Sequence, residues 1–87
     1  MQPSLMRLPK VEDKTGYKKS MVYDLADKGL FPEPIKIGER AVAWIESEID
    51  AIVAARIAGK SDDEIREIVK TLLAKRQQIA NEILSAA

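Results

Sequence analysis

The sequence predicts a mainly α-helical fold that carries a small β-hairpin wing, namely a winged helix-turn-helix followed by a C-terminal helix. Two short amphipathic patterns come first, and each of them ends at a glycine, Gly16 or Gly29. A proline-rich stretch and an alternating apolar segment then indicate a hairpin near Gly38. A long apolar stripe at helical spacing follows residue 59. With 87 residues, the chain is long enough for one small domain.

The first two helices are defined by their boundary residues. Pro9 suits the first turn of a helix because proline has no N–H to lose there, and Gly16 suits the C-terminal cap. Val11 is expected to be the main buried residue of this helix. The second helix should run from about residue 18 to residue 28, with an apolar face formed by Val22, Leu25 and Ala26. Because the connection is short, the helices must turn sharply against each other, as in a helix-turn-helix.

A hairpin is expected after the second helix. The prolines within residues 30–34 disfavour a helix, because proline biases the residue before it toward extended backbone. Gly38 and Glu39 should form a two-residue type II′ turn, which requires glycine at its first position. A two-stranded hairpin is marginally stable alone, so its apolar side chains should pack on the helices. These side chains are Ile35, Ile37, Val42 and Trp44.

Two further helices are expected in the second half. A third helix should run from near Glu46 to Gly59, with an apolar stripe formed by Ile49, Ile52, Val53 and Ile57. Ser61 and Glu64 then have the spacing of a capping box, in which each side chain bonds the backbone N–H of the other. The final helix should run to about Leu84, and polar and charged residues at 75–78 interrupt its apolar stripe.

The composition excludes several classes of function. The chain has no cysteine and no histidine, so a disulfide framework and an ordinary zinc site are excluded, and a reduced cytosolic setting fits best. Without a histidine base, a cysteine nucleophile or a phosphate-binding glycine loop, neither an enzyme nor a bound cofactor or metal is expected. No apolar run approaches the length of a membrane span, and the first residues do not resemble a secretory signal.

The net charge of zero hides a mild asymmetry. Residues 1–44 contain 8 basic and 6 acidic side chains, whereas residues 45–87 contain 6 basic and 8 acidic ones. The first half is therefore slightly positive. Charge by itself favours nucleic-acid binding only weakly.

The start of the second helix is the strongest local indication of DNA binding. Lys18 and Lys19 oppose the helix dipole there by about 0.3–1 kcal/mol each, and Lys18 is a poor capping residue. In a helix-turn-helix this end points into the major groove, where phosphates favour both lysines. Lys19, Ser20 and Tyr23 share one face and could contact base edges or a phosphate. The alternatives are solvated lysines and a half-buried Tyr23 ring that covers the core.

Lys36, Gly38 and Arg40 form the predicted wing. An arginine at such a tip can enter a narrow minor groove, where the negative potential is strongest. The alternative is a charged edge strand that discourages aggregation. Trp44 is expected in the core rather than as a platform on which bases stack.

The apolar stripe of the last helix is longer than a thin core could cover. It either folds back over the domain or pairs with a second copy or another protein, and Arg76 argues against a long parallel coiled coil. The candidate partner residues are Ile65, Ile68, Leu72, Ile79 and Ile83. We therefore expect a DNA-binding domain in residues 1–58 and a helical extension for packing or oligomerisation in residues 59–87.

Residues 7–50 resemble the AlpA-like family of prophage regulators, which are relatives of excisionases and of the MerR-type winged helix-turn-helix. The order Gly-x-Phe-Pro-x-Pro, hairpin, Trp-x-x-x-Glu-Ile carries much of the resemblance. The matching residues are Arg7, Leu8, Pro9, Val11, Thr15, Gly16, Ser20, Val22, Tyr23, Gly29, Phe31, Pro32, Pro34, Lys36, Gly38, Arg40, Ala41, Val42, Trp44, Glu48 and Ile49. The family usually has a serine cap where this chain has Lys18.

The resemblance implies a bacterial protein of a prophage or mobile element, located in the cytoplasm with the nucleoid, that binds double-stranded DNA near integrase genes or attachment sites. It implies a transcriptional regulator of integrase or excision genes. An excisionase-like recombination directionality factor, which bends attachment-site DNA and recruits a tyrosine integrase, is the alternative. An interaction adaptor that keeps the fold without binding DNA is a third hypothesis. A domain with so few basic residues should bind tightly only as a dimer or a cooperative array on DNA.

Overall fold

The computed structural model describes residues 3–86 and contains four helices and a three-stranded antiparallel sheet. The elements in chain order are β1 (Leu5–Met6), α1 (Leu8–Thr15), α2 (Lys19–Asp27), β2 (Ile35–Lys36), β3 (Val42–Ile45), α3 (Glu46–Ile57) and α4 (Asp62–Ala86). This confirms the predicted mainly α-helical class with a small β component, and the arrangement is compatible with a winged helix-turn-helix. In residues 3–86, no helix is both long enough and apolar enough to cross a membrane.

The ends of α1 and α2 follow the predicted chemistry. Pro9 lies in the first turn of α1, and Gly16 follows the helix with a φ of 77°, a left-handed conformation that residues with a Cβ adopt at a cost. Val11 is fully buried beneath α1. Val22 and Leu25 are the buried residues of α2. Residues 16–18 join the two helices, so the sharp turn is confirmed.

The sheet contains a strand that the sequence analysis did not identify. β3 lies in the centre of the order β1-β3-β2, and β1 pairs with it through Leu5 opposite Ile45 and Met6 opposite Trp44. Met6 is buried in the core. A strand of two residues has no alternating pattern to recognise, and its partner lies far along the chain.

The wing differs from the prediction in its turn. Lys36 lies opposite Val42, and the Ile37 N–H donates to the Ala41 carbonyl at 2.9 Å, so the loop comprises residues 38–40. Gly38 does not have the positive φ that a type II′ turn requires, so the predicted two-residue turn is wrong. Ile37 is also 46% exposed and does not pack on the helices as predicted.

The core collects side chains from all four helices and from the sheet. Trp44, Phe31 and Ile49 are its largest fully buried members. Two residues of α4, Ile65 and Val69, are buried in the same core. The remaining buried apolar residues are Met6, Val11, Val22, Leu25, Leu30, Ala43, Ile52 and Ala55. Ile57 is 82% exposed at the end of α3, so its predicted place in the apolar stripe is wrong.

The last helix begins at the predicted capping box. The Glu64 N–H donates to Ser61 Oγ at 3.2 Å, and the Ser61 N–H donates to Glu64 Oε1 at 3.0 Å. The bond from the Ser61 N–H to the carboxylate lowers the pKa of Glu64. The first half of α4 packs on the core through residues up to Leu73, whereas residues 77–86 are all exposed. The helix therefore extends beyond the body of the domain.

Candidate nucleic-acid interface

The N-terminus of α2 presents three of the residues that were predicted to contact DNA. Lys18, Lys19 and Ser20 are all exposed, and Lys18 occupies the cap position without making a side-chain capping bond. The cap comes instead from α1, because Glu12 Oε2 accepts the Lys19 backbone N–H at 3.0 Å. A carboxylate at this position also interacts favourably with the helix dipole. The sequence analysis missed Glu12 because a capping side chain is normally sought among the residues directly at the start of the helix, and Glu12 belongs to the preceding helix.

Tyr23 lies further along α2 and packs against the sheet. Its ring meets the Trp44 ring edge to face, with 6.0 Å between the centroids and an angle of 71° between the planes. Tyr23 is 36% exposed, which agrees with the half-buried arrangement considered from the sequence. Trp44 is fully buried and is confirmed as a core residue. Because Trp44 belongs to β3, this contact joins the predicted recognition helix to the strand that leads out of the wing.

Lys36, Gly38 and Arg40 are exposed on the wing. Lys36 lies at the end of β2, and the other two residues lie in the loop. Gly38 has open space around its Cα apart from the Ala41 side chain, whose Cβ would lie 3.5 Å from a Cβ at position 38. The loop therefore leaves both basic side chains accessible to a ligand.

The basic side chains fall into two groups that differ in their partners. In residues 3–86, half of the basic residues lie within 4 Å of a carboxylate, namely Lys14, Lys28, Arg56, Lys60, Arg66, Lys70 and Arg76. The hydrogen bond from Lys14 to Asp50, at 2.7 Å, raises the pKa of Lys14. In the same range, the basic residues without such a partner are Arg7, Lys10, Lys18, Lys19, Lys36, Arg40 and Lys75.

This division separates the basic side chains that have a neighbouring carboxylate from those that are available to an anionic ligand. Every predicted DNA-contacting lysine and arginine belongs to the group without a carboxylate partner, and all members of that group except Lys75 precede residue 45. A carboxylate beside a cation cancels part of its charge at the surface, whereas a cation without such a partner offers its full charge to a phosphate. Arg7 and Lys10, at the start of α1, have the same property and were not singled out from the sequence.

The predicted partner residues of α4 occupy different environments. Ile65 is fully buried in the chain's own core and leaves no surface for a partner. Ile68 and Leu72 are partly buried against that core. Ile79 and Ile83 are 42% and 39% exposed, and Leu84 is 72% exposed. Within α4, the large apolar side chains that are exposed to solvent therefore lie in the last turns.

Arg76 of α4 makes three hydrogen bonds to residues that are distant along the chain. Its Nε donates to Glu48 Oε2 at 2.8 Å, and its Nη2 donates to Glu48 Oε1 at 2.6 Å. The same Nη2 also donates to the Glu33 carbonyl oxygen at 2.7 Å. Glu48 lies in the first turn of α3 and is only 4% exposed, a burial that the sequence analysis did not predict. Arg76 had been recognised only as an interruption of the apolar stripe.

Comparison with known proteins gives related results for the same part of the chain. A family model described as the prophage CP4-57 regulatory protein (AlpA) matches residues 4–57. An uncharacterized protein, ORF88 of Enterobacteria phage P4, is 41% identical over 59 residues, which cover 68% of this chain and 67% of that protein. The DNA-binding transcriptional activator AlpA of Escherichia coli strain K12 is 34% identical over 58 residues, covering 60% of this chain and 83% of that protein. No solved structure gives a significant match.

Proposed function

Because the chain belongs to the AlpA family of prophage regulatory proteins, we propose that it binds a specific DNA sequence of a prophage or mobile element and regulates its integrase or excision genes. Family membership indicates a DNA-binding regulator rather than an enzyme.

The observation that carries the proposal is the location of the basic side chains that have no acidic partner. Within residues 3–86 they gather at the starts of α1 and α2 and on the wing, while the basic residues of α3 and most of those of α4 are paired. All of these unpaired residues except Lys75 lie in the segment that matches the family. Phosphate binding requires cations that are free to exchange their counterions for the nucleic-acid backbone.

In the proposed complex, α2 enters the major groove and the wing contacts the adjacent backbone or minor groove. Lys19 and Ser20 contact base edges, because they are exposed on the first turn of α2. The hydroxyl of Tyr23 contacts a phosphate while its ring stays on Trp44. Lys36 and Arg40 bind phosphates or enter a narrow minor groove from the wing.

We further propose that residues 1–58 carry the DNA contacts and that residues 59–87 serve packing and oligomerisation. Each copy offers few unpaired cations, so tight binding requires a dimer or a cooperative array on DNA. The exposed apolar residues at the end of α4, among them Ile79 and Ile83, are the candidate contact between copies. The proposed location is the bacterial cytoplasm, on the nucleoid.

A footprint of the purified protein across its own element, covering promoters and attachment sites together, tests the proposal. Lys19→Ala should reduce protection, whereas the matched control Lys75→Ala, which removes an unpaired lysine of α4, should leave it unchanged. One protected palindrome at a promoter would identify a transcriptional regulator. Closely spaced direct repeats beside an attachment core would identify a directionality factor that recruits a tyrosine integrase. Absence of protection on every fragment at low salt would contradict DNA binding and favour an adaptor.

A further inference from the structure

The two contacts of Arg76 lie at the two ends of the wing. Glu33, whose carbonyl accepts from Arg76, precedes β2 by two residues, and Glu48, whose carboxylate accepts from the same guanidinium, lies in the first turn of α3 directly after β3. One side chain therefore joins the segment that enters the wing to the segment that leaves it. Arg76 itself lies on α4, outside the residues that match the family.

The segment that enters the wing has little else to hold its backbone. Pro32 and Pro34 have no N–H to donate, so the chain on either side of Glu33 cannot be fixed by backbone hydrogen bonds from those residues. Pro32 is buried, which anchors the start of the segment. The bond from Arg76 to the Glu33 carbonyl, at 2.7 Å, supplies an anchor next to the strand itself.

The burial of Glu48 makes this connection rigid. The Glu48 side chain is 5% exposed and the Arg76 side chain is 22% exposed, so both are largely removed from solvent. A planar guanidinium that donates from two nitrogens to one carboxylate is held in a single orientation. The N–H of Arg76 Nη2 that donates to the Glu33 carbonyl is thereby fixed as well.

We propose that Arg76 is a positioning residue for DNA binding, which sets the orientation of the wing relative to α2 and so makes α4 part of the DNA-binding unit. The proposal rests on the proposed function for its consequence at DNA, but the coupling between Arg76 and the wing stands on the contacts alone. Arg76 does not need to touch DNA. Its effect reaches DNA through Lys36 and Arg40.

The coupling is tested without DNA by amide hydrogen exchange. The double variant Glu48→Met, Arg76→Leu removes the bonds of Arg76 to Glu48 and Glu33, which together form the Arg76 clamp. It leaves no unpaired buried charge, so the protein should remain folded. The Ile37 amide, which closes the hairpin by donating to Ala41, should exchange faster in this variant, while core helix amides such as that of Ile52 keep their rates. The control Arg56→Gln removes an exposed ion pair between α3 and α4 and should change neither. Unchanged exchange at Ile37 in the double variant would overturn the proposal.

The consequence at DNA is tested by double-mutant cycles on the footprinted site. In the background without the clamp, the loss of affinity caused by Arg40→Ala should shrink by about twofold or more, since the wing is no longer held in place. The loss caused by Lys19→Ala should stay as large as in the parent. Equal, additive losses for both variants would contradict a role in positioning the wing. If the parent protein binds no DNA, the proposed function fails, and the exchange experiment still decides whether Arg76 holds the wing.

Discussion

Glu12 of α1 caps α2 by accepting the backbone N–H of Lys19 at 3.0 Å. The bond resolves the unfavourable helix start that the sequence shows, because it satisfies an amide that Lys18 leaves without a side-chain acceptor. It also places a carboxylate next to the two lysines that we propose for the DNA interface. Glu12 therefore stabilises the helix while reducing the positive potential that a phosphate would meet.

Replacing Glu12 with glutamine is expected to strengthen DNA binding. The amide oxygen of Gln can still accept the Lys19 N–H, while the negative charge beside Lys18 disappears. The expected gain is about 0.3–1 kcal/mol in binding, with a loss of similar size in the free energy of unfolding. Fluorescence anisotropy titrations and urea unfolding measure the two quantities. Glu82→Gln, the same charge change at the exposed end of α4, is the control, and unchanged or weaker binding by Glu12→Gln would contradict the interpretation.

Lys19→Ala is expected to weaken specific binding by about 1–3 kcal/mol and to relax the preference at one base position, because a lysine on the recognition helix can donate to guanine O6 and N7. Binding measured on a set of single-base variants of the footprinted site gives both quantities. If affinity falls equally on specific and random DNA, Lys19 is a phosphate anchor and does not contact a base.

Arg40→Ala is expected to weaken binding to all DNA sequences. An arginine of the wing that contacts a phosphate releases about one counterion, so the slope of log K against log salt concentration should become shallower by about one unit. Affinities measured at four or more salt concentrations give this slope. An unchanged slope would exclude a phosphate contact for Arg40.

Features that depend on residues close together along the chain were predicted correctly, whereas features that depend on residues far apart were not. Two features depend only on neighbours within one turn, namely the end of α1 at Gly16 and the capping box of Ser61 and Glu64. Both were predicted correctly. The wing was located correctly, but its turn was wrong because the register of β2 on β3 depends on the whole sheet. In the Arg76 clamp, Arg76 lies 28 positions from Glu48 and 43 positions from Glu33 along the chain. No local pattern predicts such a pairing.

The same distinction applies to the candidate interface. Exposure of the lysines at the start of α2 follows from the amphipathic pattern, so their positions were predictable. The presence or absence of an acidic partner was not, because Lys14 finds Asp50 on another helix. Net charge counts both kinds of cation equally. For that reason, the net charge gave only weak support for DNA binding.

Arg76→Ala is expected to destabilise the protein strongly. The variant leaves the Glu48 carboxylate buried without its partner, which costs about 3–5 kcal/mol. A domain of this size has a free energy of unfolding of only about 5 kcal/mol or somewhat more, so most of the stability would be lost. The double variant Glu48→Met, Arg76→Leu should be close to the parent, because apolar residues can replace a buried ion pair. Urea unfolding measures both, and equal losses in the two variants would show that the carboxylate is not the cause.

The two halves of α4 should respond differently to truncation. A chain that ends after Gly59 loses Ile65 and Val69 from the core and should not fold stably, although the sequence analysis expected residues 1–58 to form the DNA-binding domain. A chain that ends after Arg76 keeps the core and the clamp and loses only the exposed turns that contain Ile79 and Ile83. If those turns join copies of the protein, this shorter chain should stay folded and sediment as a monomer where the full chain forms larger species. Identical sedimentation of the two chains would instead exclude the end of α4 as the contact between copies, because removing residues 77–87 would then have no effect on assembly.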